Sequence, residues 1–278
     1  MHKISGITCT YGRFTCIERT IKMVADQDYE GPVEHIIYNT DEEFPLVLDE
    51  TLLGGNVRVI NNNIDLVTHL PYTNVGAVRR DSLLFASGDY YVCVDDDDLY
   101  FPWDFRQRID GILRFPEAKA WKPMYSLFET PNKLELARNT LEASIIVDIP
   151  TLRELGFKLE NGSEHLSWYT ALSYNNKLVE DAYSIPGYSY RWADTAFVAG
   201  HKQSGNMGDI SNFENHKTQS KDHATRPLTL KTNPELLAPY FQYFKDVING
   251  THRPDVAPTY PPNFFLDLIE KYVRKYIS

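Results

Sequence analysis

The segment Gly88-Asp89-Tyr90-Tyr91-Val92-Cys93-Val94-Asp95-Asp96-Asp97-Asp98 constrains the fold more than any other part of the chain. Tyr90 to Val94 reads as an apolar strand, and it delivers four consecutive carboxylates to its carboxyl end. Their mutual repulsion demands a compensating cation or many hydrogen-bond donors. A divalent ion is the natural compensation, because Mg²⁺ and Mn²⁺ take hard oxygen ligands, commonly one or two carboxylates together with substrate phosphate oxygens. Successive residues of an extended chain point to opposite sides, so Asp95 and Asp97 can face one ligand while Asp96 faces away. A solvated turn is the plainer alternative for a charge run.

The segments before this strand alternate. Ile4 to Thr10 reads as a strand, Thr15 to Asp26 as a helix, Val33 to Asn39 as a strand and Val57 to Ile60 as a short strand, with a helix from Asn74 to Ser87. Such alternation marks a mostly parallel sheet covered by helices, in which ligands bind beyond the carboxyl ends of the strands. A helix is expected over Trp103 to Phe115 after Pro102, and strands over Ala120 to Phe128 and Ala143 to Val147. Further helices are expected over Thr151 to Leu155 and Ser163 to Tyr174. The stretch from His201 to Arg226 is polar and reads as a long loop, the usual form of a lid. Two amphipathic helices, Pro234 to Asn249 and Asn263 to Ile277, close the chain.

Composition narrows the function classes. With 278 residues, 42% hydrophobic and 24% charged, the chain is neither disordered, collagenous nor coiled coil. Its 28 basic residues face 38 acidic ones, a formal net charge of -10, so no global basic field gathers nucleic acid, although a local groove is compatible with that balance. The three cysteines, Cys9, Cys16 and Cys93, lie in or beside apolar runs and show no CxxC spacing, which reads as buried thiols in a reducing compartment. No apolar run approaches the roughly 18 residues of a membrane span. A soluble cytoplasmic protein is expected, in the host cytoplasm if the chain is phage-encoded. The last helix carries Lys271, Arg274 and Lys275 beside an apolar stripe; it suits its own domain, a second subunit as a homo-oligomer contact, or a membrane surface or partner.

Together with this acidic run, several motifs resemble the family-2 glycosyltransferases of the GT-A fold. Ile7-Thr8-Cys9-Thr10-Tyr11-Gly12-Arg13 is similar to the family's opening strand and turn, with Gly12 in place of an asparagine. Gln27-Asp28-Tyr29 and Tyr38-Asn39-Thr40-Asp41 follow in order, then Asn74-Val75-Gly76-Ala77-Val78-Arg79 and the Asp95 to Asp98 run with its downstream Pro102. The resemblance covers about 100 residues. It implies a GT-A domain over residues 1–225, with a nucleotide-sugar half at 1–116 and an acceptor half and lid at 117–225, and a helical extension at 226–278.

What the resemblance implies for the residues is a UDP-sugar site. Thr8, Tyr11 and Arg13 would border base and ribose, Asn39 would stand where an acidic residue reads the uracil edge, and Arg79 would support the nucleotide or the acidic loop, or pair internally with Asp95 or Asp97. Asp95 would contact the ribose and metal-bound water, and Asp97 would ligate Mn²⁺ or Mg²⁺. The family's base lies at a helix head within a Glu-Asp pair, which corresponds here to Glu164-His165. Glu164 is the first expected base and His165 the second, against a helix start that Glu164 merely complements; Trp168 and Tyr169 are expected to stack on a sugar or to join the core. Arg191, in Tyr188-Ser189-Tyr190-Arg191-Trp192, would close the donor site, and His201 would be a third metal ligand or a diphosphate donor.

The resulting expectation is a metal-dependent inverting transferase acting on a glycan, a lipid-linked sugar, or a sugar or hydroxymethyl group of modified phage DNA. A nucleotidyltransferase is the runner-up, weakened by the lack of a glycine-rich, lysine-bearing phosphate loop, and a non-catalytic sugar-binding relative is the third reading.

Overall fold

The computed structural model describes residues 1–11, 14–49, 55–130, 133–138, 141–161, 163–181, 184, 186–191 and 230–231. In chain order the elements are β1 (Ile4–Thr10), α1 (Phe14–Ala25), β2 (Val33–Asn39), β3 (Val57–Asn61), α2 (Val75–Leu83), β4 (Tyr90–Cys93), β5 (Leu99–Tyr100) and α3 (Asp104–Leu113). They continue as β6 (Ala120–Pro123), β7 (Tyr125–Thr130), β8 (Lys133–Arg138), a 3₁₀ turn (Glu142–Ser144), β9 (Ile146–Asp148), α4 (Ile149–Leu155), α5 (Leu166–Tyr174), β10 (Leu178–Asp181), β11 (Tyr188–Arg191) and β12 (Leu230–Lys231).

Among the described residues a seven-stranded sheet runs in the order β10-β6-β9-β4-β1-β2-β3. The pairs β4-β1, β1-β2 and β2-β3 are parallel, and β9 runs against both of its neighbours, β4 and β6. The expected mostly parallel sheet is therefore present. β1 lies inside it, and its Ile4 and Ile7 are buried, as are Val92 and Cys93 of the adjacent β4. β1 and β2 fall where the sequence places them, with Ile4, Ile7, Ile36, Ile37 and Tyr38 as buried apolar anchors and the polar Ser5, Thr8 and His35 buried among them. The carboxyl ends of β1, β2, β3 and β4 share one edge, and the acidic residues emerge there.

A second sheet, β12-β8-β7-β11-β5, begins immediately after the acidic turn. It accounts for a departure from expectation, since the single strand expected over Ala120 to Phe128 divides at Met124 into β6 and β7 in different sheets. Pro123 has no amide proton for the ladder and is the last residue of β6, and the Met124 N–H donates to the carbonyl of Asp181, the β10 partner of Pro123, at 2.9 Å. The strand expected from Ala143 begins with the 3₁₀ turn, where the Ser144 hydroxyl bonds the Leu141 carbonyl at 2.8 Å. α2 also ends earlier than expected. Leu84, Phe85 and Ala86 donate three residues back, tightening the last turn before Gly88.

No helix among the described residues is long and apolar enough to cross a membrane. Cys9, Cys16 and Cys93 form no disulfide, and Cys16 and Cys93 are buried. The expected lid from His201 to Arg226 and both C-terminal helices lie outside the described residues, as does the domain boundary at 225–226.

Candidate functional site

The acidic turn continues the alternation of β4. Asp96 and Asp98 are buried, whereas Asp95 and Asp97 are half-exposed. Asp96 points back into the fold, where the Thr10 hydroxyl donates to its Oδ2 at 2.6 Å and Arg19 of α1 donates to its carbonyl at 2.6 Å. Asp98 accepts from the Tyr188 hydroxyl of β11. The Asp95 N–H donates to the Tyr100 hydroxyl at 2.7 Å. Two strands of the second sheet thus pin the turn from behind and leave the odd-numbered pair at the strand-end edge. Half-exposed carboxylates backed by fixed donors are a donor set that suits a hard divalent cation.

Among the described residues Asp95 pairs with Arg79, whose Nη2 lies 3.1 Å from its Oδ1. Arg79 is buried in α2, and the internal pairing open to it in the sequence is present. It reaches further than the sequence shows: its Nε lies 2.9 Å from Glu164 Oε1 and 3.4 Å from Glu142 Oε2, and its Nη1 contacts Cys93. One guanidinium therefore links the acidic turn to the head of α5.

α2 is placed by its own first turn. The Asn74 side chain caps it, accepting from Ala77 N–H at 2.9 Å. Gly76 lies so close to the 158–160 backbone that an added Cβ would meet the Lys158 carbonyl oxygen at 1.7 Å, so this position tolerates no side chain. Asn161 Oδ1 accepts from Val75 N–H at 2.8 Å, fixing the same junction. The Asn-Val-Gly-Ala-Val-Arg stretch thereby docks the helix that carries Arg79 onto the segment that carries Glu164.

Glu142 is a functional candidate that sequence reasoning missed. It is buried and accepts from the Tyr91 hydroxyl at 2.9 Å. Burial raises its carboxyl to about 8; Arg79 opposes the rise, Glu164 and Asp95 add to it, and the Tyr91 hydrogen bond opposes it. Since the folded value lies above the ordinary 4.5, its stability contribution is complete below about 4.5 and is lost as pH rises through about 8. Glu142→Gln removes that loss, so the variant's melting temperature relative to the unsubstituted chain should climb across this window. A pH-independent difference between the two melting curves would contradict the raised value.

His165 stands at the N-terminal boundary of α5 and is half-buried. Donor atoms of Glu142, Glu164 and His165 all lie within 4.8 Å of one another. Glu164 itself is buried. The helix begins at Leu166 rather than Ser163, so Glu164 and His165 occupy the turn before it. Trp168 is fully buried in the core cluster, which removes it as a stacking surface for a sugar. The Tyr169 hydroxyl donates to Glu180 at 2.9 Å.

Two expected donor-site residues are placed differently. Thr8 is fully buried and shares a 2.9 Å hydrogen bond with His35 across β1 and β2, so alternation along β1 turns it inward, away from a nucleotide. Asn39 is also buried. Its amide donates to the Phe44 carbonyl at 3.0 Å and to Asn61 at 2.9 Å, and its Oδ1 accepts from Asp41 N–H at 3.1 Å. It brackets the turn after β2 and offers no edge to a base. Tyr11 lies half-exposed just beyond β1, at the edge shared with the acidic turn. Arg13 and His201 lie outside the described residues, and so does the side chain of Arg191. The Asp181 carboxylate is paired with Arg114 at 2.7 Å.

No family model matches the chain, and no curated protein matches it. Solved structures do. Glucosyl-3-phosphoglycerate synthase from Mycobacterium tuberculosis, in complex with Mn²⁺, UDP-glucose and phosphoglyceric acid, is 10% identical with a TM-score of 0.51, over 90% of this chain and 79% of that one. The same enzyme with Mn²⁺, UDP and phosphoglyceric acid is 13% identical with a TM-score of 0.51, over 79% and 76%. S. aureus TarS 1-349 in complex with UDP-GlcNAc is 14% identical with a TM-score of 0.50, over 98% and 81%. The chain spans 49% of a longer TarS chain. These likenesses show the GT-A glycosyltransferase fold.

Proposed function

We propose that this GT-A chain is a metal-dependent inverting glycosyltransferase that moves a hexose or related sugar from a UDP-linked donor to an acceptor hydroxyl. The observation that carries the reading is the alternation of the acidic turn, with Asp95 and Asp97 half-exposed at the strand-end edge and Asp96 and Asp98 held inward. Structures of the same fold with Mn²⁺, UDP, UDP-glucose or UDP-GlcNAc support the donor class.

In this reading Asp95 and Asp97 hold Mn²⁺ or Mg²⁺, with His201 as the proposed third ligand. Bound there, the cation offsets the negative charge of the departing diphosphate. Tyr11 borders the nucleotide, and Arg13 and Arg191 are proposed to close on it. Arg79 fixes the Asp95 carboxylate through Oδ1. The turn before α5 supplies the group that takes the acceptor proton, Glu164 or His165. The acceptor is a glycan or a sugar or hydroxymethyl group on modified phage DNA, and the C-terminal helices are the proposed surface for a second copy of the chain.

Thermal melting tests the metal-linked donor site. A ligand that binds only the folded state at a hundredfold excess over its dissociation constant stabilises it by about 2.7 kcal/mol. UDP should raise the melting temperature in Mn²⁺ and leave it unchanged in EDTA. Equal stabilisation in both buffers would remove the carboxylates as a metal site. Incubation with UDP-sugars then separates chemistries: UDP release marks sugar transfer to water or acceptor, pyrophosphate release marks nucleotidyl transfer, and binding without turnover marks a sugar-binding protein.

A further inference from the structure

We infer that His165, rather than Glu164, takes the proton from the attacking hydroxyl, and that Glu164 is the positioning residue whose carboxylate stabilises the imidazolium formed. The assignment rests on the transferase reading above and resolves its proton-accepting group.

Glu164 is badly placed to accept a proton. It is buried, and its Oε1 is held by Arg79 at 2.9 Å, so protonation would cost the ion pair of a buried guanidinium. His165 precedes the helix, is half-exposed, and has a ring nitrogen within 4.8 Å of both the Glu142 and Glu164 carboxylates. A half-exposed imidazole with a ring nitrogen near a fixed carboxylate has the arrangement of a positioned base.

The local charge count supports the same division of labour. The ring of His165 has the carboxylates of Glu142 and Glu164 near it and the Trp168 ring 6.2 Å away, and both carboxylates pair with Arg79 of α2, which also contacts Tyr91 and Cys93 of β4 and Asp95 of the acidic turn. With Glu142 carrying its proton, one guanidinium faces two carboxylates, Glu164 and Asp95. A proton arriving on His165 brings the cluster to neutrality. Glu164 Oε2 and Glu142 Oε2 are buried without a hydrogen-bond partner among the described residues, so acceptor capacity remains for an N–H from the ring.

The step balances simply. The acceptor O–H bond breaks and its proton passes to a ring nitrogen of His165. The oxygen electron pair forms the new bond to the anomeric carbon, and the bond from that carbon to the phosphate oxygen breaks with its pair leaving on UDP. The imidazolium returns its proton to water after product departs.

UDP release from UDP-glucose and UDP-GlcNAc in Mn²⁺, with water as acceptor, tests the assignment on the full chain. His165→Ala should lower turnover by roughly 10²- to 10⁴-fold, with the donor KM nearly unchanged, and added imidazole should restore part of the rate. Glu164→Gln should lower the pH of half-maximal rate, because it removes a nearby carboxylate that favours the imidazolium. If Glu164→Gln fails to fold, the imidazole rescue still decides the matter, because His165→Ala leaves the Glu164–Arg79 pair in place. An active His165→Ala, or one beyond imidazole rescue beside an inactive folded Glu164→Gln, overturns the assignment alone. No UDP release by the unsubstituted chain from either donor overturns the transferase reading and the assignment together.

Discussion

Asp97→Ala is expected to lower UDP release by roughly 10³-fold or more, equivalent to about 4 kcal/mol of lost transition-state stabilisation. The effect follows from its position. Asp97 is half-exposed, while its neighbours Asp96 and Asp98 are spent on Thr10 and Tyr188. No adjacent carboxylate can therefore turn outward to replace it without breaking those bonds. The fold should survive, since the change removes one negative charge from a crowded turn and empties no core space. Circular dichroism and the melting curve should match those of the parent in metal-free buffer. Turnover and Mn²⁺ dependence at parental levels would show that the diphosphate is held elsewhere.

Arg79→Met should be the most damaging single change to stability. It keeps most of the side-chain length but withdraws the only cation contacting Asp95, Glu142 and Glu164 among the ion pairs of the described residues. Removing one partner of a buried ionic cluster costs about 3–5 kcal/mol, because the remaining charges stay desolvated. For a domain of this size that corresponds to a fall in melting temperature on the order of 10 °C at neutral pH. Combining it with Glu142→Gln should recover part of the loss. A melting temperature within about 2 °C of the parent would mean that the carboxylates are neutralised by protons rather than by Arg79.

Which parts of this were legible in sequence depends on whether the physics is local. β1 and β2 were legible to the residue because β-branched and aromatic residues recur through Ile4 to Thr10 and Val33 to Asn39, and the alternation of the acidic turn follows from strand geometry alone. The division at Pro123 could have been read from the missing donor. The strand β8 was overlooked, since Lys133 to Arg138 alternates without a strong apolar face. Glu142 had no local signal beyond being a lone carboxylate in an otherwise apolar stretch. Its importance arises because β9 returns antiparallel to β4 and brings the preceding turn against Tyr91 and Arg79. Thr8 and Asn39 carry family-like chemistry at the right places in the motif, yet their hydroxyl and amide are consumed by His35 and Asn61, partners distant in sequence.

The alternation of the acidic turn also bears on how such a site can change over evolutionary time. Four identical residues in a row suggest redundancy, but the turn distinguishes them by parity: odd positions stand half-exposed at the strand-end edge and even positions are bonded into the scaffold. A point substitution disables one duty and leaves the other three residues in place. Loss or gain of a single residue between Val94 and Asp95 would instead exchange the two placements, sending the half-exposed side chains into the fold and the scaffold side chains out to the strand-end edge. The composition would scarcely change, yet both roles would fail together. The length of such a motif is therefore constrained at least as tightly as the identity of any one of its four carboxylates.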